Sequence, residues 1–257
     1  MRIIPDALAA FSLEVSNRLE TITAWAAAGG AREAGTAMAD ALTNGGVIQA
    51  FGTGHSEAFA MEIAGRAGGL IPTSKIALRD LVLHGVRDVA ELDSLEGSTL
   101  ERDVGVAEEL FNLSLIDPRD IFIIASNSGV NGSIVGLALA AKERGHKVIA
   151  VTSVEHTNAV ETKHPCGLRL SEIADIVIDN RAPYGDTTLE ISGGGGVGAV
   201  SSITAAYIAQ VLTIETAQCL VRAGKEPPIY ISANIPGGDE HNTALVGQYV
   251  GRLRREA

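Results

Sequence analysis

Two short stretches of this 257-residue chain concentrate the residue types that hold small anions. The first is Gly52-Thr53-Gly54-His55-Ser56, which follows an apolar run at 47–51 and opens a helical pattern over 56–67. Glycines let a backbone approach a ligand closely, and the free N–H groups at a helix start attract negative charge. The second is Ser126-Asn127-Ser128-Gly129-Val130-Asn131-Gly132-Ser133, between an apolar run at 120–125 and a helical pattern over 133–144. Hydroxyls, amides and a glycine in one such turn can form a neutral cradle of donors for a phosphate monoester. The same composition also suits a plain helix-capping loop. Two such turns, each ending a strand, favour ligand binding over mere capping.

Other anion sites fit less well. A dinucleotide fingerprint needs a third glycine where Glu57 stands, and a carboxylate in that first turn would repel a pyrophosphate. There is no GK[ST] of a P-loop, no HExxH and no Cys/His cluster, so neither a metal nor a cofactor is expected. Cys166 and Cys219 lack CxxC spacing, which suits a reducing, cytoplasmic setting. With 20 Lys plus Arg against 31 Asp plus Glu, the formal net charge of −11 disfavours nucleic acid and anionic membrane as partners.

Strand-like and helical patterns alternate around these turns. Leu8, Phe11, Val15, Leu19 and Ile22 form a helical stripe over 6–28, and an Ala-rich helix is predicted over 31–42. Further strands are predicted at 147–152 and 174–178, and a long small-residue helix over 197–222 that Pro227-Pro228 ends. Alternation of this kind means right-handed βαβ units and a parallel sheet, with ligands at the carboxyl ends of its strands. The pattern reads as one domain over 1–257, with N- and C-terminal helical additions. Pro5 and Asp6 interrupt the start Met1-Arg2-Ile3-Ile4 before a signal-peptide apolar region can form. The small-residue faces at 31–42 and 197–209 call for cover by a second copy.

The pair GxGxS (Gly52, Gly54, Ser56) and SxSGxN (Ser126, Ser128, Gly129, Asn131) resembles the sugar isomerase, or SIS, domain, whose usual second motif ends in Thr. The resemblance runs over about 35–222. Residues 51–56, 66–69, 153–165, 180–186 and 226–242 further resemble a bacterial branch of SIS proteins grouped with phosphosugar and phosphoheptose isomerases. It implies an α/β fold, a flavodoxin-like three-layer α/β/α sandwich with a five-stranded parallel sheet plus N- and C-terminal helices. It also implies a small phosphorylated sugar as ligand, held by Gly52, Gly54, His55, Ser56, Ser126, Asn127, Ser128, Gly129 and Asn131. Homodimers or homotetramers with sites near subunit contacts are the family habit.

Aldose–ketose isomerisation needs a base to move a proton between adjacent carbons and an acid for ring opening. Three residues are candidates. Glu62 lies where phosphoheptose isomerases carry a metal-binding His, and Arg66 lies where they carry a Glu; this departure puts zinc out of the expectation. Glu62 reads either as the base or as an i,i+4 ion pair with Arg66. Glu101, in Ser98-Thr99-Leu100-Glu101-Arg102, matches a region from which SIS enzymes bring an acid into the site, or else is a solvated charge. His241, in a loop before the last helix, matches the C-terminal ring-opening His of several SIS isomerases, or sits in a loop capped by Asp239. His55 either points at the ligand or holds its own turn. The leading expectation is an aldose–ketose isomerase of a small phosphosugar. A non-catalytic phosphosugar sensor ranks second, because the two predicted N-terminal helices show no basic recognition face. A phosphosugar lyase, etherase or deaminase is a further alternative.

Overall fold

The computed structural model describes residues 6–92, 99–191 and 195–254. Met1 to Pro5 and Ser98 lie outside the described residues. Two N-terminal helices, α1 (Ala7–Ala27) and α2 (Arg32–Thr43), precede the strand β1 (Ile48–Gly52). Then come α3 (Glu57–Ile63), β2 (Thr73–Ile76), α4 (Leu78–Leu83), α5 (Thr99–Arg102), α6 (Val106–Leu113) and β3 (Ile121–Ala125). The chain continues through α7 (Gly132–Glu143), β4 (Val148–Thr152), α8 (Val154–Ala159), α9 (Leu170–Ile173) and β5 (Ile176–Asp179). A small hairpin, β6 (Leu189–Ile191) and β7 (Gly195–Val197), leads to α10 (Ser201–Arg222) and α11 (Gly238–Val246).

Strands β1 to β5 form one parallel sheet in the order β2-β1-β3-β4-β5. That is the flavodoxin-like order, whose switch point lies between β1 and β3. The two glycine- and serine-rich turns follow these two strands, so the topology alone places them on either side of the crevice. β1, β3 and β4 are buried at every position, as continuous apolar strands covered on both faces must be. One face packs Met38, Phe59, Ile63, Ile208 and Leu212 against Ile48, Ile123 and Ile149. The other packs Leu81, Leu110, Ile134 and Leu137 against Phe51, Phe122 and Ile124. Each such side chain contributes about 1.5–3 kcal/mol of burial, which fixes the three layers.

The structure departs from the sequence pattern in three places. β2 escapes an apolar scan, since Thr73, Ser74 and Lys75 are polar yet buried. Each has a polar partner: Thr73 Oγ1 donates to Leu70 O (2.9 Å), Ser74 Oγ accepts from Arg254 N (3.0 Å), and Lys75 Nζ meets Glu57 (3.0 Å). The long helix starts at Ser201 rather than 197, because Gly195–Val197 is spent on the hairpin. It ends at Arg222, before Gly224 at φ +71° and the two prolines. The third departure concerns the small-residue faces. α2 and α10 pack on each other so closely that a Cβ on Gly35 would lie 2.6 Å from Glu215 Cγ. Ala34, Ala39, Ala205 and Ala209 are buried in that contact region. These faces are covered within one chain, so they do not themselves call for a partner.

Asp120 ties the lower end of the sheet together. Its buried carboxylate accepts from Val47 N (2.8 Å), Gln49 Nε2 (2.9 Å), Asp117 N (3.0 Å) and Arg252 Nη2 (2.6 Å). Asp120→Ala strands all four donors, and the expected cost is about 3–5 kcal/mol. Urea unfolding checks this: the midpoint falls with m unchanged, and a midpoint equal to that of the native chain would refute it.

Candidate functional site

At the carboxyl ends of β1 and β3 a narrow cleft is lined by His55, Ser56, Ser126, Asn127, Asn180, Ser201 and Ser202 over a floor of Phe59, Ala125, Val151 and Ala205. The first turn is tight: a Cβ on Gly52 would lie 2.3 Å from Ser56 O, and Gly54 adopts φ +55°. In the second turn Ser126 Oγ accepts from Gly129 N (3.1 Å). Gly129 takes φ +65°, with Thr157 Oγ1 only 3.1 Å from where a Cβ would be. Asn131 stands at the N-cap of α7 but does not cap it. Its amide is used elsewhere, so the plain helix-capping account fails for this residue.

That use is Glu101. Its Oε1 accepts from Thr53 Oγ1 (2.9 Å), on the first turn, and from Asn131 Nδ2 (2.6 Å), on the second. Ser133 Oγ donates to the Glu101 carbonyl (2.9 Å), so backbone and side chain are both fixed. Lys163 Nζ approaches Asn131 Oδ1 at 3.4 Å and brings a positive charge to the same corner. Glu57 is turned aside, its Oε1 held by Lys75 Nζ and Arg79 Nη2, each at 3.0 Å. The two cations offset the repulsion that Glu57 would otherwise exert on an anion at the first turn.

Glu62 and His241 stand apart from this cluster. Glu62 pairs with Arg66 and accepts from Gln210 Nε2 (2.9 Å), eight residues down α10 from Ser202. From Ala205 on the cleft floor, five residues before Gln210, this is about 7.5 Å along the helix at 1.5 Å per residue. His241 Nε2 contacts Ile229 O (2.9 Å) and lines a different cavity of about 420 Å³ with Leu220, Pro228 and Tyr249. Ser202 to Leu220 is 18 residues of one helix, so this cavity lies at the opposite end, roughly 27 Å away. Within one chain His241 does not reach the 126–131 loop. The structure thus puts His55, Ser56, Ser126 and Asn127 on the crevice, with Gly52, Gly54, Ser128, Gly129 and Asn131 in the two turns they belong to and Glu101 joining those turns, while Glu62 and His241 do not line it.

Several residues of the crevice lay outside the sequence candidates. Ser201 and Ser202 could have been found as a hydroxyl pair opening the longest helix, whose N-terminus points positive dipole at the cleft. Asn180 is the first residue after β5, the position where a parallel sheet presents ligand contacts. Lys163 lies in an irregular segment and carries no local signal. Among the described residues no cluster of three or more His, Cys, Asp or Glu is placed to hold a metal ion, and no helix is long and apolar enough to cross a membrane.

Two models of the SIS domain match this chain, one over residues 10–153 and one over 95–215. A UPF0309 protein of Listeria monocytogenes is 38% identical over 222 residues, covering 86% of this chain and 88% of its own. One of Halalkalibacterium halodurans is 37% identical over 214 residues, covering 83% and 86%. Among solved structures, a phosphoheptose isomerase from Francisella tularensis superposes with a TM-score of 0.51 at 20% identity, over 84% of this chain and 100% of that one. The likeness supports the three-layer fold with its five-stranded parallel sheet. The chain belongs to the SIS domain family and is a relative of the UPF0309 proteins.

Proposed function

We propose that the chain binds a small phosphorylated sugar in the strand-end crevice and interconverts its aldose and ketose forms. One observation carries the reading: the Glu101 carboxylate is clamped between the two turns by Thr53 and Asn131. The 126–131 loop and the start of α7 supply neutral donors for the phosphate, which suits a chain of net charge −11. Glu101 is bonded directly to that anchor through Asn131 and Ser133. Its carboxylate takes the proton from the carbon beside the carbonyl, giving an enediolate, and returns it to the former carbonyl carbon, while the hydroxyl proton passes to the former carbonyl oxygen. His55, exposed at the cleft, is suited to donate to the carbonyl oxygen as charge develops there. Glu62 is spent on Arg66 and Gln210 and is the weaker candidate for the base. His241 serves as the ring-opening group only if a second copy presents it, and a homodimer or homotetramer is part of the proposal; light scattering tests that part. The free cysteines Cys166 and Cys219 support a reducing, cytoplasmic setting.

A mass-spectrometric screen of small phosphosugars for isomer interconversion tests the activity. Saturable binding without turnover of any open-chain substrate would instead support a phosphosugar sensor, the reading that His241's distance from the crevice favours. Binding itself is expected to depend on the phosphate. Charge-assisted hydrogen bonds of about 1.5–3 kcal/mol make a phosphosugar bind roughly 10- to 100-fold tighter, per lost contact, than its unphosphorylated sugar. Ser128→Ala is expected to weaken every phosphosugar alike in calorimetry. Equal affinity for a sugar and its phosphate would sink the assignment.

A further inference from the structure

We propose that Asn180 is a positioning residue that sets the polarity of the crevice, turning the Asn127 amide so that its NH₂ group faces the ligand. The proposal rests on the anion-binding reading above and deepens it. It assigns Asn127 to a ligand oxygen bearing full or partial negative charge, on a phosphate or on a sugar carbonyl.

The orientation follows from hydrogen-bond logic. Asn180 is buried, 3% exposed, just past the end of β5. The backbone N–H of Ala182 donates to one end of its side chain at 3.0 Å. A backbone N–H can only donate, so that end of Asn180 is Oδ1 and the other end is Nδ2. Nδ2 lies 3.1 Å from the side chain of Asn127. A donor must meet an acceptor, so Asn127 presents its Oδ1 there and its own NH₂ is directed away from Asn180. Asn127 and Asn180 both line the crevice, beside His55, Ser56, Ser126 and Ser201.

The backbone of Asn127 has no freedom to compensate. Its carbonyl accepts from Ser153 N (3.2 Å) and Thr152 Oγ1 (3.2 Å), and the preceding Ser126 N–H is held by Val151 O (3.0 Å). Asn180 N–H in turn bonds Thr152 O (2.9 Å). Three strand ends, β3, β4 and β5, thus fix one amide. An NH₂ facing the crevice attracts a ligand oxygen, and a carbonyl in its place would repel it. Among the described residues no lysine or arginine lines this part of the crevice, so the sign of one neutral dipole matters.

Asn180→Asp tests the proposal. The carboxylate keeps an oxygen for Ala182 N–H but puts a second oxygen where Nδ2 was, and Asn127 must then turn its NH₂ toward it. Side-chain amide exchange by NMR is expected to slow for the Asn127 NH₂ in this variant, and an unchanged rate would overturn the proposal. Inorganic phosphate measured by calorimetry is expected to bind about 10- to 100-fold more weakly to Asn180→Asp, and roughly 5- to 10-fold more weakly to Asn127→Ala. In the double variant the loss is expected within about threefold of Asn127→Ala alone, because the two residues act through one group. Losses that multiply, as an independent charge at position 180 would give, would overturn it. Where Asn180→Asp does not fold, Asn127→Asp asks the same question from the crevice side and is expected to abolish phosphate binding; native affinity there would refute the proposal. If the native chain binds neither phosphate nor phosphosugars, the functional reading fails, while the exchange rates still judge the amide's orientation.

Discussion

Glu101→Gln is expected to lower turnover of a phosphosugar by about 10²–10⁴-fold while leaving its affinity within roughly twofold. Glutamine keeps an oxygen for Thr53 Oγ1 and Asn131 Nδ2, so the clamp between the turns survives and the fold is not disturbed. What is lost is the group that accepts a proton from carbon. Anchoring belongs to the 126–131 loop and proton transfer to the carboxylate, so the loss falls in kcat rather than KM. Solvent deuterium incorporation gives a second measure, since washing tritium or deuterium into the substrate carbon requires the same base. Native turnover in Glu101→Gln would remove Glu101 from the mechanism. The same substitution at Glu62 is expected to change stability slightly and turnover little, because its carboxylate is already engaged by Arg66 and by Gln210 of α10.

What could be read from the sequence divides by how local its cause is. The two turns were legible because each consists of contiguous residues whose types state their backbone needs: Gly54 and Gly129 take positive φ, and both lie between an apolar strand and a helix. β1, β3 and β4 were legible because burial on both faces leaves continuous apolar runs. β2 was not, because Thr73, Ser74 and Lys75 are buried through partners as distant as Arg254. Glu101 could be named as a candidate, but its clamp joins residues 53, 101 and 131, which no spacing rule brings together. His241 shows the opposite failure. A histidine after Gly-Gly-Asp-Glu suits catalysis by type, yet the structure places it inside α11 rather than in a loop before it, and α10 carries the chain about 27 Å away before that helix begins. Residue chemistry was readable, and long-range placement was not.

Gly132→Ala should separate positioning from chemistry. Gly132 begins α7, and a Cβ there would lie 2.3 Å from the carbonyl oxygen of Arg102 and 2.9 Å from its carbon. Both atoms are backbone, so no side chain can swing aside; α5 must move by about an ångström to restore contact distance. Glu101 precedes Arg102, and its carbonyl and carboxylate are held by Ser133 and Asn131 on either side of Gly132. A methyl group at this position therefore pushes the carboxylate away from the very loop that anchors the phosphate. The expected destabilisation is about 1–3 kcal/mol from overpacking, and turnover is expected to fall roughly 10²-fold because an ångström of misplacement suffices for that. Both losses come together, whereas Glu101→Gln loses turnover alone. Gly247→Ala is the matched control: φ there is −55° and nothing lies within 4 Å of the added carbon, so stability should hold or rise slightly. If Gly132→Ala instead keeps native stability and turnover, the packing of α5 on α7 does not position Glu101, and the clamp seen at Asn131 and Thr53 has another purpose.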